Sequence, residues 1–118
     1  MCLEKILPGK PKWRKGYKAV QMVRNQYWGD FCGLYKTRKK EVWLNEEQFR
    51  DFPQQTRIVN FLGNTYPMGW HVFKEKNEAL LWAKGVGSVV VDVKCRKPLA
   101  HGFQCLLEVG IFGEIMFL

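Results

Sequence analysis

"GWHVFKEKNEALLWAKGVGSVVVDVKC", residues 69–95, carries the plainest structural pattern in the chain. Its opening, "GWHVF" (69–73), is aromatic and β-branched around one histidine and reads as a short strand. Side chains alternate along a strand, so Trp70 and Val72 share one face while His71 and Phe73 share the other. "KNEALLWAK" (76–84) follows with Ala79, Leu80 and Ala83 at helical spacing, and Gly85 stands where a C-cap belongs. "SVVVDVKC" (88–95) is a strand whose valine run suits burial on both faces.

Downstream, "GFQCLLEVGIFGEIMFL" (102–118) predicts one or two strands, with Gly110 and Gly113 as bulge or corner positions. Upstream, "TRIVNFLG" (56–63) and "EVWLN" (41–45) predict strands. Between them "NEEQFRDF" opens a helical turn, with Asn45 as N-cap, that Pro53 stops. "YKAVQMVR" (17–24) is a further strand, and "NQYWGDFCGLYKTRKK" (25–40), with Gly29 and Gly33, reads as strand, loop and strand. Residues 1–16, with Pro8, Gly9, Pro11 and Gly16, form a basic N-terminal arm or loose lead-in. The expected fold is α+β over residues 17–118, a single domain. It is a curled, mostly antiparallel sheet or half-barrel with one or two short helices.

Composition narrows the class. A chain of 118 residues that is 47% hydrophobic and 14% aromatic packs a core and is not disordered. No run approaches the roughly 20 apolar residues of a membrane span. "MCLEKILPGKPKWRKG" lacks the apolar stretch of a secretory signal, so a cytoplasmic protein without a membrane partner is expected. Cys2, Cys32, Cys95 and Cys105 form no CxxC pair and read as reduced thiols. Cys95, His101 and Cys105 are the nearest approach to a metal set. Structural zinc takes two close pairs of ligands, and only His101 and Cys105 are close, so neither metal nor other cofactor is expected.

Charge is unevenly spread. Residues 1–40 hold eleven Lys and Arg against Glu4 and Asp30, a balance of +9, while residues 41–118 hold eight against nine. The whole excess lies in the first third and points to a polyanionic partner. Lys12-Trp13-Arg14-Lys15 and the run Lys36, Arg38, Lys39, Lys40 interleave cations with flat rings, the latter run between Tyr35 and Trp43. Bases stack on such rings while Lys and Arg hold phosphates. These eight residues are the candidate anionic-partner site, for nucleic acid or for an acidic or nucleic-acid-binding host protein.

Chemistry has fewer candidates. His71 could serve as a base, or donate to a phosphate, in a pocket shared with Tyr66. No acid stands at telling spacing, so no catalytic residue is assigned. GxSxG, HExxH, GxxxxGK[ST] and GxGxxG are all missing, and "GVGSVV" (85–90) puts its glycines after a helix, the reverse of a phosphate cradle.

Tyr66-x-x-Gly69-Trp70-His71-Val72-Phe73, followed by Glu78-Ala79 and "VVVDV", resembles a pattern in small, mostly uncharacterised phage and bacterial proteins. Their strand opening Tyr-Lys is matched in outline by "GYKAV" (16–20). The resemblance covers residues 66–93 well and implies a compact β-rich domain of a mobile element. With the charge asymmetry, it implies a non-enzymatic binding protein, such as a counter-defence inhibitor of a host nucleic-acid complex. "GWHVFKEKNEALLWA" is also similar to a strand and helix of ADP-ribosyltransferases. That likeness would cast Arg24 or Lys18, Tyr66, and Glu108 or Glu114 as the catalytic set, but the Ser-x-Ser and Glu-x-Glu elements are missing. A third expectation, a β-barrel sequestering a nucleotide messenger, requires a pocket lined by aromatics and a few Lys or Arg.

Overall fold

The computed structural model describes residues 3–23, 26–28, 36–37, 41–45, 58–61, 63–67, 69–86 and 88–118. Its elements are β1 (Lys5–Ile6), β2 (Lys15–Val23), β3 (Gln26–Trp28), β4 (Lys36–Thr37), β5 (Trp43–Asn45), β6 (Ile58–Phe61), β7 (Asn64–Pro67), β8 (Trp70–Phe73), α1 (Lys76–Val86), β9 (Val89–Gln104) and β10 (Leu107–Phe117). This is the expected α+β class, a curled antiparallel sheet with one helix among the described residues. The helical turn expected after Asn45 lies outside the described residues.

β9 organises the sheet. One edge pairs along its length with β10, from Leu107↔Gln104 to Phe117↔Val93. The other edge takes β1 at Lys5↔Phe103 and Ile6↔Gly102, and β2 from Lys15↔Lys94 to Val20↔Val89. β10 in turn pairs with β8 (Val109↔Phe73 to Phe112↔Trp70) and, further along, with β5 (Ile115↔Leu44). β8 returns to β2 at Tyr17↔Phe73, so β9, β10, β8 and β2 close a ring. Beyond it β3 and β4 extend β2, and β6 and β7 form a separate hairpin.

Alternation sorts the apolar side chains into two cores. Val20, Trp70, Val72, Val93, Cys95, Phe112, Ile115 and Phe117 come from all four ring strands and fill the ring, with Leu44 and half-buried Trp13. On the outer face Ala19, Phe73, Val109, Ile111 and Ala100 meet Ala79 and Ala83 of α1, together with Leu3 and Tyr66. Trp70 and Val72 therefore look inward while His71 and Phe73 look toward the helix layer. Small residues on α1 let the helix lie close. Its third packing residue is Trp82, and Leu80 is half exposed. Gly85 is not the cap, because the helix runs to Val86 and closes with Ser88 N–H donating to the Ala83 carbonyl at 2.9 Å.

Two features escaped the sequence pattern. β9 continues through "RKPLAH" (96–101), absorbing Pro98 where the register against β10 shifts between Ile111 and Phe112, beside Lys97 at φ 58°. A bulge leaves the proline nitrogen without a ladder bond to make. At the far end, Cys105 and Leu106 turn the β9–β10 hairpin with φ of 50° and 66°, a type I′ geometry normally given to Asn-Gly.

The N-terminal arm is bonded to the sheet at several points. Leu3 is fully buried, its N–H donating to the Tyr66 hydroxyl at 3.0 Å, and Glu4 N–H donates to the Phe103 carbonyl at 2.9 Å. Tyr66→Phe is expected to leave the Leu3 N–H unsatisfied and to cost about 1–2 kcal/mol in urea unfolding. An unchanged midpoint would show that the arm does not depend on this bond.

Candidate functional site

The pairing registers bring together a row of side chains that the sequence keeps far apart. Lys15 on β2 stands opposite Lys94 on β9, Lys94 opposite Met116 on β10, and Met116 opposite Trp43 on β5. Directly opposed residues of antiparallel strands share a face. The neighbouring row, Cys95, Ile115 and Leu44, belongs to the inner core, so Lys15, Lys94, Met116 and Trp43 lie on the outer face. Both lysines are exposed and Met116 and Trp43 are half-buried. α1 covers a different stretch of the outer surface, around Ala19 and Phe73.

The row beside it carries the second cation group. The Arg96 guanidinium lies 4.0 Å from the centre of the Trp43 ring. It donates to Glu114 through Nε at 3.0 Å and Nη2 at 3.4 Å. Lys97 Nζ reaches the same carboxylate at 2.9 Å. Hydrogen bonds first from Arg96 and then from Lys97 hold the Glu114 carboxyl below its usual pKa. The two hydrogen bonds to Glu114 hold the guanidinium in place over the indole. The face thus offers two close lysines and a stacked Arg-on-Trp layer, with one carboxylate already neutralised.

The predicted site residues distribute unevenly over this frame. Lys15 is on the face, and Arg14 is exposed beside it, its carbonyl accepting from Cys95 N–H at 2.9 Å. Lys12 is exposed on the connection before β2. Trp13 is half-buried, edge-on to Phe112 with ring centres 5.1 Å apart, and so helps plug the ring. Lys36 belongs to β4, opposite Trp28, while Arg38, Lys39 and Lys40 lie outside the described residues. Lys94 and Arg96 were not foreseen. Their signal was the exposed alternation Asp92, Lys94, Arg96 within β9, hidden in a segment whose charges sum to nearly zero.

Tyr66 and His71 do come together, with ring centres 6.3 Å apart, but in the helix layer. His71 is 7% exposed. Burial first, and then the nearby Lys18 ammonium, hold its pKa down at about 3. Nε2 finds no hydrogen-bond partner among the described residues. Lys18 itself is 6% exposed, donating to the His71 carbonyl at 2.9 Å with its ammonium 5.6 Å from the centre of the Trp70 ring. Among the described residues no carboxylate acts on the His71 ring. The acids named with the transferase likeness are engaged elsewhere, Glu108 with Lys74 at 3.5 Å and Glu114 with Arg96 and Lys97. Cys95 is buried in the inner core, its thiol pushed up to about 12 by burial, whereas Cys105 sits exposed at the hairpin tip. No group of three or more His, Cys, Asp or Glu converges among the described residues, and none of their helices is long and apolar enough to cross a membrane.

Comparison with protein-family models, curated proteins and solved structures gives no match in any of the three.

Proposed function

We propose that this chain is a non-enzymatic binding protein for a polyanion, single-stranded nucleic acid, which lies across the outer face of β2, β9, β10 and β5. One observation carries the reading: Lys15 stands directly opposite Lys94. Like charges at such positions oppose folding by roughly 0.2–1 kcal/mol, and a bridging phosphate reverses the sign. Arg96, two residues along β9 from Lys94, adds a further cation on the same face. The guanidinium held over Trp43 provides a surface on which an unpaired base stacks regardless of its identity. A duplex keeps its bases stacked inside and uses only the charges.

Binding of short RNA, single-stranded DNA and duplex over a salt series tests this. Single strands are expected to bind tightest. Lys15→Ala/Lys94→Ala is expected to weaken them at least tenfold and to flatten the plot of log affinity against log salt by roughly 1.4, about 0.7 for each lost phosphate contact. The same double variant is expected to unfold at slightly higher urea, since it removes a repulsion. Failure to bind any nucleic acid at low salt would reject the reading and leave an acidic protein surface as the partner class. Loss of stability in the variant would show that the two lysines are not opposed.

A further inference from the structure

A second site lies at one end of the ring. Leu7 N–H donates to the His101 carbonyl at 2.9 Å, and the chain regains the β9 edge at Arg14. Between these points Pro8 to Trp13 swing off the edge, with Gly9 at φ +80° making the bend. The detour walls an open groove of about 440 Å³, whose other sides are Lys74, His101 and Glu108. Alternation explains why these three meet. Val72, Gly110 and His101 are cross-strand neighbours on the inner face; Lys74, just past the end of β8, and Glu108, near the start of β10, lie two residues further out. The groove is therefore the mouth of the barrel. Its floor is Trp13, seated over Gly110, where an added Cβ would fall 2.7 Å from the indole.

The mouth has a definite polarity. Lys10 and Lys12 are exposed on the detour. The Glu108 carboxylate is already matched by Lys74 at 3.5 Å. His101 Nε2 lies 3.0 Å from the Pro8 carbonyl, which can only accept, so Nε2 carries a proton. Three lysines against one carboxylate leave an excess of two positive charges, beside an aromatic floor and the Glu108 carboxylate, which accepts from hydroxyl or amino groups. The volume falls within the roughly 300–1,000 Å³ typical of small-molecule sites, and barrel mouths are a common location for them.

We infer that the barrel mouth binds a phosphate monoester of mononucleotide size, its phosphate on Lys10 and Lys12 and its sugar or base toward Trp13 and Glu108. The ligand is either a free nucleotide or the terminal nucleotide of a strand. The mouth and the outer face use different lysines, so either can fail alone.

Calorimetric titration with AMP, adenosine and inorganic phosphate tests the site, alongside short oligonucleotides with a 5′-phosphate or a 5′-hydroxyl. AMP is expected to bind the parent and to lose at least tenfold in Lys10→Glu and in Lys74→Met. Adenosine is expected to bind at least tenfold more weakly than AMP. Lys10 is an exposed loop residue, so Lys10→Glu keeps the test valid if Lys74→Met unfolds. A 5′-phosphate preference that disappears in Lys10→Glu identifies the strand terminus as the source, whereas AMP binding without that preference identifies the free nucleotide. No AMP binding at millimolar concentration, equal binding of adenosine, or equal AMP affinity in Lys10→Glu overturns the inference.

Discussion

Gly16→Ala is expected to open the barrel. A Cβ at this position would fall 2.4 Å from Val72 Cγ1 and 2.6 Å from the Phe73 carbonyl oxygen. The neighbouring pair, Tyr17↔Phe73, is where β2 meets β8 and the ring closes. A methyl side chain swings away at little cost, but a carbonyl in a paired strand does not, so the strands must part. Overpacking of this kind commonly costs about 1–3 kcal/mol, and the expectation here is the upper end or beyond. Urea unfolding with a parallel heat scan measures it; a loss of about 3 kcal/mol lowers the melting temperature by roughly 10 °C in a domain of this size. Gly85→Ala is the control of opposite sign. Nothing lies within 4 Å of its added Cβ and the backbone there is helical, so it is expected to stabilise by about 0.5–1 kcal/mol. A Gly16→Ala cost below 1 kcal/mol would show that β2 and β8 do not approach as described.

The second large effect is a loss of stability in acid that runs through His71. Its folded pKa of about 3 lies below the unfolded value of 6.5, so the unfolded chain takes up the proton first. Stability is therefore unaffected by this group above pH 6.5. It falls as pH drops through the window, by about 1.4 kcal/mol per unit once well below 6.5, and levels off near pH 3. Carboxylates also titrate in acid. Glu114, with its lowered pKa, contributes stability that is lost as pH falls through its folded value. The difference between the parent and His71→Phe isolates the histidine. The expected result is a steep slope in the parent between pH 6 and 4, and a shallower one in the variant by about 1 kcal/mol per unit. Equal slopes would place the imidazole in contact with water.

Much of the frame was legible because it is written in local periods. Alternation in "GWHVF" sorts Trp70 and Val72 from His71 and Phe73, and Ala79 with Ala83 marks the buried side of the helix. The continuation of β9 across Pro98 was not legible, since a proline ordinarily ends a strand and a bulge is a property of the pair. The candidate face was half legible. Lys15 stands out in a basic run, whereas Lys94 and Arg96 sit among residues 41–118, where acids slightly outnumber bases. Only register places Lys94 across from Lys15, and register depends on which edge of β9 the arm selects. Trp43, grouped by sequence with Lys36 to Lys40, is instead stacked by Arg96 from another strand. The barrel mouth had no linear signature, because it is made by a chain detour and three strand ends.

The two-sided occupancy of β9 also dictates an order of assembly. Both β1 and β2 lie on one edge of a strand that begins some seventy to eighty residues later, and β10, which completes the ring, follows that strand. Such long loops close slowly, and their entropy must be met before the pairing returns it. While the chain is being made on the ribosome, its cationic first segment therefore emerges into a polyanionic environment well before the strand that anchors it exists. Folding of this protein thus waits on β9, which must capture an arm that has been outside the ribosome since the chain's first turns were made.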